Sequence, residues 1–220
     1  MRKNQNLKNN LSEREARWHR ELQCTYGVEF WSKTYALAAN IKYENKIKWL
    51  QYQINRNSLF TNYKVNKFKP HISPLCTFCS HLENFPKSEL VSHLFYDCDL
   101  VLNLWQEIKA WLATLDINIP LERAKILFGD HTGASSSVTN FTMLCCKSFI
   151  WKAKFTTKEL TLVQFQKYFY FKLIEIKNAC ILMWKESKFE RWSNVLNYLS
   201  RLPQCIDARP EDVAILPDTV

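Results

Sequence analysis

The sequence predicts a mainly α-helical protein, and three observations support this fold class. Apolar and aromatic residues recur at helical spacing over long stretches, most clearly across residues 138–155 and 158–188. No stretch shows the strict alternation of apolar and polar residues that is typical of a half-buried strand. The chain of 220 residues includes only 3 Gly and 7 Pro, so it lacks the turn-rich composition of a small β protein.

The N-terminal third contains three predicted helices. Ser12 and Glu15 form a capping box, which predicts a helix that opens there and runs through about Leu22. Helical spacing of apolar residues predicts two further helices, over residues 28–40 and 44–55.

Each of these three helices carries one tryptophan, at Trp18, Trp31 and Trp49. We predict that the three side chains anchor the core, because large aromatic side chains supply much of the apolar area that folding buries. The alternative is that they are exposed stacking platforms. Residues 58–70 are polar and basic, and we predict that they form a connector.

The rest of the chain is also predicted to be helical. Ser88 is a candidate cap for a helix that carries His93, and residues 99–112 show a continuous apolar side. A break follows around Pro120, and the Ser/Thr/Gly-rich residues 131–137 are predicted to form a loop. The last predicted helices cover residues 138–155, 158–188 with Thr157 as a candidate cap, and 190–202.

A compact group of cysteine and histidine residues lies near the middle of the chain. Cys76 and Cys79 form a C-x2-C pair, thirteen residues separate this pair from His93, and Cys98 follows after four more. Thiolates and a neutral imidazole are donors that Zn²⁺ prefers, and a structural zinc site uses four such ligands with no open position. We therefore predict that Cys76, Cys79, His93 and Cys98 bind one zinc ion.

The spacing between His93 and Cys98 imposes a structural condition on this site. Residues five apart on an ideal α-helix lie about 140° apart in projection, so the helix that carries His93 has to stop or distort before Cys98. The predicted architecture is then an irregular helical assembly around one CCHC zinc knuckle. Two alternatives remain open: the thiols are ordinary buried core residues, or His81 replaces His93 as a ligand.

Charge is distributed in blocks along the chain. The whole sequence has a net charge of +9, of which residues 1–72 carry +9, residues 73–130 carry −4, residues 131–200 carry +6 and residues 201–220 carry −2. Two basic segments on either side of an acidic one favour a polyanionic partner, RNA and/or DNA. A solvated basic surface without a partner is the alternative.

Six basic residues are candidate phosphate contacts, because they lie close in sequence to aromatic side chains. Phosphate contacts combined with base stacking are typical of proteins that bind nucleic acids without sequence preference. The six are Lys42, Lys46, Arg56, Lys147, Lys152 and Lys154.

These patterns divide the chain into five segments: a disordered basic tail (1–11), a basic helical segment (12–72), a CCHC zinc-binding domain (73–130), a C-terminal helical segment (131–202) and a disordered tail (203–220). Neither a signal-peptide pattern nor a membrane-spanning apolar run occurs in the sequence. We therefore expect an intracellular protein of the nucleus and/or cytoplasm, with reduced cysteines and no membrane partner.

A longer series of motifs surrounds the metal-binding pattern. In chain order these motifs are Asn57-Ser-Leu-Phe-Thr-Asn62, Cys76 with Cys79, Glu89, His93-Leu-Phe95, Cys98, Leu104-Trp105, Ile126-Leu-Phe-Gly129 and Lys147-Ser-Phe-Ile-Trp151-Lys-Ala-Lys154. This order resembles the zinc-binding region of LINE-type (non-LTR) retrotransposon reverse transcriptases, over about residues 45–188. One departure is Leu90, where the family usually has Thr, and another is the longer spacer before His93.

The resemblance implies a non-catalytic module that holds nucleic acid. Full-length members also carry an endonuclease and a polymerase that uses paired aspartates for two metals, and this sequence contains no Asp-Asp pair. The implied partners are RNA and/or DNA and a full-length reverse transcriptase acting in trans, with no small-molecule substrate. The alternative is a zinc-stapled structural or protein-interaction domain that does not bind nucleic acid.

Overall fold

The computed structural model describes residues 12–39, 45–81, 87–131, 136–156, 159–183, 187 and 189–206. Within these ranges the chain is mainly α-helical and forms no strand, which confirms the predicted fold class. A single antiparallel bridge joins Leu75 and Ser88. The tail predicted at residues 1–11 lies outside the described residues, and no helix in the described part is long and apolar enough to cross a membrane.

Ten α-helices make up most of the described chain, together with a π-helical turn at His93–Asp97 and a 3-10 turn at Glu190–Trp192. In chain order the helices are α1 (Glu13–Leu22), α2 (Val28–Ala39), α3 (Asn45–Asn55), α4 (Asn62–Asn66), α5 (Asp99–Ala113), α6 (Arg123–Phe128), α7 (Ser136–Thr156), α8 (Leu162–Leu182), α9 (Ser193–Leu199) and α10 (Pro203–Ile206).

Helix α1 begins at the predicted capping box. The Ser12 N–H donates to the Glu15 carboxylate over 2.9 Å, and the Glu15 N–H donates to the Ser12 hydroxyl over 3.5 Å. Trp18 then fixes α1 against the end of α3, because its indole N–H lies 3.1 Å from the Ile54 carbonyl and 3.0 Å from the Asn55 carbonyl. The start of α1 is therefore fixed by local hydrogen bonds, and its middle is held by contacts with α3.

The tryptophan prediction holds for two helices and is wrong for the third. Trp18 is 0% exposed and Trp31 is 1% exposed, as expected for core anchors. Trp49 is 59% exposed, because α3 turns Leu50 and Ile54 toward the core and Trp49 away from it.

One hydrophobic cluster runs through the whole described chain, from Trp18 in α1 to Cys205 in α10. Helix α3 packs on α2, α6 and α7, and α8 packs on α7, α9 and α10. Buried side chains from the predicted basic helical segment, zinc-binding domain and C-terminal helical segment all contribute to this cluster. The core therefore continues across the segment borders at residues 72 and 130.

Several element boundaries differ from the predictions, and Ser88, the candidate cap of the helix that carries His93, pairs with Leu75 in the bridge instead. Helix α4 lies within the connector predicted over residues 58–70. Helix α8 begins after Thr161, whose hydroxyl accepts the N–H of Gln164, rather than after Thr157, which lies outside the described residues. Residues 203–206, predicted to open a disordered tail, form α10 and bury Cys205, while the rest of that tail lies outside the described residues.

Candidate metal centre and nucleic-acid interface

The four predicted ligands come together in one buried cluster. The Sγ atoms of Cys76, Cys79 and Cys98 and a ring nitrogen of His93 all lie within 4.8 Å of one another. The Cys76 and Cys98 sulfurs are 4.0 Å apart, and the Cys79 sulfur is 3.3 Å from His93 Nε2. None of the four residues is more than 8% exposed. The cluster can hold a metal ion.

Two of the donor–donor distances are close to those of a tetrahedral ion with thiolate and imidazole ligands. With a Zn–S bond of about 2.3 Å and a Zn–N bond of about 2.0–2.1 Å, tetrahedral angles separate two sulfurs by about 3.8 Å and a sulfur from a nitrogen by about 3.6 Å. The two close pairs in the structure lie within about 0.3 Å of these separations. The donor separations extend to 4.8 Å, so the four donors would have to approach one another by up to about 1 Å to hold one tetrahedral ion.

The C-x2-C turn is held by a short set of backbone hydrogen bonds. Beside the bridge between Leu75 and Ser88, the Cys76 N–H donates to the Lys87 carbonyl over 3.0 Å. The Ser80 N–H donates back to the Cys76 carbonyl over 3.1 Å and closes the turn. These bonds place the first two thiols next to the chain that leads to His93.

The backbone distorts between His93 and Cys98, as the spacing predicts. Residues His93–Asp97 form a π-helical turn in which the Cys98 N–H donates to the His93 carbonyl over 3.0 Å, a bond between residues five apart. Cys98 itself is extended, with φ −76° and ψ 126°, and α5 begins after it. Single π-helical turns are rare and occur frequently at functional sites. Here the wider turn brings the His93 and Cys98 side chains to the same point.

The alternative ligand His81 lies outside this cluster. His81 is exposed, whereas His93 is 4% exposed and is part of the group of four donors. The structure therefore selects His93 as the histidine of the candidate site.

The thiols influence one another's protonation. The hydrogen bond to Cys98 and, second, burial raise the pKa of the Cys76 thiol to about 12. The same hydrogen bond lowers the pKa of Cys98, while burial raises that of Cys79. A bound dication would favour thiolates at all three positions, because a coordinating thiol loses its proton.

A buried carboxylate, Glu89, links the candidate metal centre to two helices. Glu89 is 0% exposed. Its Oε2 accepts the Thr77 N–H over 3.0 Å and the Thr77 hydroxyl over 2.8 Å, and Thr77 lies between the two cysteines of the turn. Its Oε1 accepts the Asn62 N–H at the start of α4 over 2.7 Å and pairs with the Lys154 ammonium of α7. The Lys154 ammonium also donates to Asn62 Oδ1 over 2.7 Å.

A second lysine predicted to contact phosphate, Lys147, is also buried. It is 1% exposed, and its ammonium donates to Gln51 Oε1 and, over 3.1 Å, to the Leu127 carbonyl. Burial lowers the pKa of Lys147 to about 7 and is the first cause that lowers that of Lys154. The ammonium groups of Lys147 and Lys154 thus donate to acceptors inside the protein and are not exposed at its surface.

The other four candidate phosphate contacts have different surroundings. Lys42 lies outside the described residues, and Lys46 is exposed on α3. The Arg56 guanidinium lies 4.7 Å from the centre of the Tyr52 ring. Lys152 is half-buried on α7, with its ammonium 5.1 Å from the centre of the Tyr168 ring. Lys46 and Arg56 thus belong to the α3 region and Lys152 to the α7–α8 pair.

One arrangement on α3 matches the alternative that the sequence left open for Trp49. The Trp49 and Tyr52 rings are stacked, with centroids 5.2 Å apart and an interplanar angle of 20°. Arg56, directly after the helix, lies with its guanidinium 4.7 Å from the Tyr52 ring centre and donates to the Tyr52 hydroxyl. The signal for this stack is the spacing of the three residues at i, i+3 and i+7, opposite the apolar stripe of the same helix.

Comparisons with known proteins leave the family open. No model of a protein family matches the chain, and no curated protein matches it. The resemblance to LINE-type reverse transcriptases therefore rests on the motifs in the sequence alone.

Proposed function

We propose that this chain is a non-catalytic zinc-binding module that binds nucleic acid, RNA and/or DNA, of the kind found in the C-terminal region of non-LTR retrotransposon reverse transcriptases. A full-length reverse transcriptase acting in trans is a further partner in this proposal. The module would act inside the cell, in the nucleus and/or cytoplasm, where a reducing environment keeps its cysteines available for zinc.

The choice of zinc follows from the donor set. Three thiolates and one imidazole in a tetrahedral arrangement suit Zn²⁺ better than the oxygen-seeking ions Mg²⁺ and Ca²⁺. Four protein ligands fill such a site and leave no position for a reactive water, so the ion would stabilise the fold rather than catalyse a reaction.

The observation that carries the nucleic-acid proposal is the charge of the α3–α4 region. Residues 45–72 contain six Lys/Arg and no Asp/Glu. Lys46, Lys67 and Lys69 are exposed there. This excess of basic residues along one stretch of the chain favours a phosphate backbone as its partner.

Salt-dependent binding tests this proposal with variants of equal charge. We expect Lys46→Gln with Lys67→Gln to weaken binding to every sequence and to flatten the salt slope by up to about 1.8, if each lysine neutralises one DNA phosphate. The control pair, Lys33→Gln with Lys177→Gln, removes two exposed lysines from α2 and α8 and should change the slope less. Equal effects of the two pairs, or binding that does not respond to salt, would refute the proposal.

The second candidate function is a zinc-stapled scaffold for protein interaction. The burial of Lys147 and Lys154 favours it, because two of the basic residues near Trp151 serve the core instead of a ligand. The acidic composition of residues 73–130 also favours it. A scaffold predicts no binding of RNA or duplex DNA at moderate salt, and no difference between the two variant pairs.

A further inference from the structure

We infer that the outer face of α3 is a stacking site for unpaired bases, so that the module binds single-stranded nucleic acid in preference to duplex. The site, here called the α3 stack, consists of Trp49, Tyr52 and Arg56. This inference rests on the proposed function and names the ligand class that the basic region would take.

The α3 stack consists of two stacked rings with a cation beside them, because the Arg56 guanidinium also donates to the Tyr52 hydroxyl. On a helix with 3.6 residues per turn, positions i, i+3 and i+7 lie within about 60° of one another, so the three side chains share one face. The Trp49 and Tyr52 rings are stacked at 5.2 Å, and the planar Arg56 guanidinium lies 4.7 Å from the Tyr52 centroid. The Trp49 ring, at the outer end of this series, is 59% exposed.

Packing of the core does not account for the position of Trp49. The apolar side of α3 is formed by other residues, since Ile47 and Ile54 are 1% and 0% exposed. Exposed rings are also concentrated in this region. Of the five large aromatic side chains that are exposed in the described part of the chain, three lie within residues 45–72, namely Trp49, Phe60 and Phe68.

The charge around the α3 stack favours a nucleic acid as its occupant. Lys46 and Lys48 precede Trp49 on the same helix, and no acidic side chain occurs between residues 45 and 72. Flat rings together with lysines and an arginine are the combination by which proteins bind single strands, because bases stack on the rings while cations contact phosphates. In a duplex the base faces are already covered by neighbouring base pairs, so the Trp49 ring has nothing to stack on.

The experiment compares the binding of the full chain to three probes that carry the same number of phosphates, so that charge alone cannot explain a difference between them. Fluorescence anisotropy measures the affinity for a single strand of about 12 nucleotides, for a duplex, and for a strand in which the bases are replaced by abasic sites. Testing the single strand as both RNA and DNA shows which of the two nucleic acids the site binds more tightly. We expect Trp49→Ala to weaken single-strand binding about tenfold, as for the loss of one stacked base. Binding to the duplex and to the abasic strand should stay within about twofold of the unchanged protein.

Two further variants show whether the ring itself is responsible. Trp49→Phe keeps a flat ring and should restore most of the single-strand affinity. Tyr198→Ala removes an exposed ring from α9, outside the basic region, and should leave all three affinities unchanged. Circular dichroism and metal content should be the same for all variants, because Trp49 lies outside the core.

Each outcome decides the inference. An equal loss on all three probes, no loss on any of them, or a preference of the unchanged protein for duplex would overturn it. An acidic protein segment as the occupant predicts no discrimination between the base-bearing and abasic strands. If the unchanged protein binds none of the probes, the proposed function falls as well; if it binds them equally and Trp49→Ala has no effect, only the α3 stack is refuted.

Discussion

Lys147 shows how tertiary burial changes the chemistry of one side chain. In the sequence it belongs to a basic run around Trp151, which favours a surface position. In the structure its ammonium contacts Gln51 and the Leu127 carbonyl, and no carboxylate among the described residues pairs with it. Desolvation therefore lowers its pKa to about 7, so that close to neutral pH the side chain exchanges between charged and uncharged forms.

This burial predicts that part of the protein's stability depends on pH. Unfolded, Lys147 has its ordinary pKa of 10.5, so between about pH 7 and pH 10 the unfolded chain binds more protons than the folded chain. The free energy of unfolding should therefore rise with pH across this window, by up to about 1.4 kcal/mol per pH unit from this group. Below the window both states are protonated, and the penalty for burying the charge is present in full.

Urea unfolding of the unchanged protein and of Lys147→Met across this window is the measurement. The variant cannot titrate here, so the stability difference between the two proteins should vary with pH. Lys177→Met, which changes an exposed lysine of α8, is the matched control and should run parallel to the unchanged protein. Parallel profiles for Lys147→Met as well would contradict the expectation.

At the scale of elements, one bridge, a C-x2-C turn and one π-helical turn bring the four donors together in the described residues between Leu75 and Cys98. The π-helical turn packs against α5, α6 and α7. We expect the fold of this segment to depend on the proposed zinc ion, because a structural zinc site supplies folding free energy directly. Loss of one of the four donor residues should then unfold the segment between Leu75 and Cys98.

The two nearby histidines allow a matched test of the metal centre. His93→Ala should abolish stoichiometric zinc and make the thiols of Cys76, Cys79 and Cys98 reactive, because three donors no longer close the site. His81→Ala should keep one zinc per chain and leave the thiols protected, since His81 is exposed and outside the cluster. Elemental analysis together with a thiol-labelling assay measures both effects. Retention of zinc in His93→Ala with unchanged thiol protection would exclude this ligand set.

At the scale of the whole molecule, Glu89 joins parts of the chain that are far apart in sequence. Its carboxylate contacts Asn62, Thr77 and Lys154, which lie respectively in the basic helical segment, the zinc-binding domain and the C-terminal helical segment predicted from sequence. The carboxylate and the Lys154 ammonium are almost fully enclosed, with side-chain exposures of 0% and 5%. Loss of one partner leaves an unpaired charge in the interior.

We expect Lys154→Met to lower the free energy of unfolding by about 3–5 kcal/mol, as for other broken buried pairs. Combining it with Glu89→Gln should cost less than the sum of the single changes, because the second substitution removes the unpaired charge. Lys33→Met, which breaks an exposed pair with Glu29 on α2, serves as the control and should leave stability unchanged within error. Urea denaturation of the four variants measures these differences, and additive effects of the two buried changes would show that Glu89 and Lys154 are not coupled.

The sequence by itself determined the features that depend on neighbours along the chain. Ser12 and Glu15 start α1 through bonds three residues apart, and the helical spacing of apolar residues located α2, α3 and α5 to within about two residues. The donor spacing from Cys76 to Cys98 also required the backbone distortion that the π-helical turn supplies. These features depend on short-range geometry, so they can be predicted from the sequence without knowledge of the fold.

Only the tertiary structure decided which side chains face the core and which face solvent. Lys147 and Lys154 look like surface cations in the sequence, and Trp49 looks like a core anchor, yet their positions are reversed. The cause is the rotation of α3 and α7 about their own axes, which is set by the partners against which each helix packs. The partners of Lys154 lie 65 and 92 residues away in the chain, beyond the reach of any local pattern.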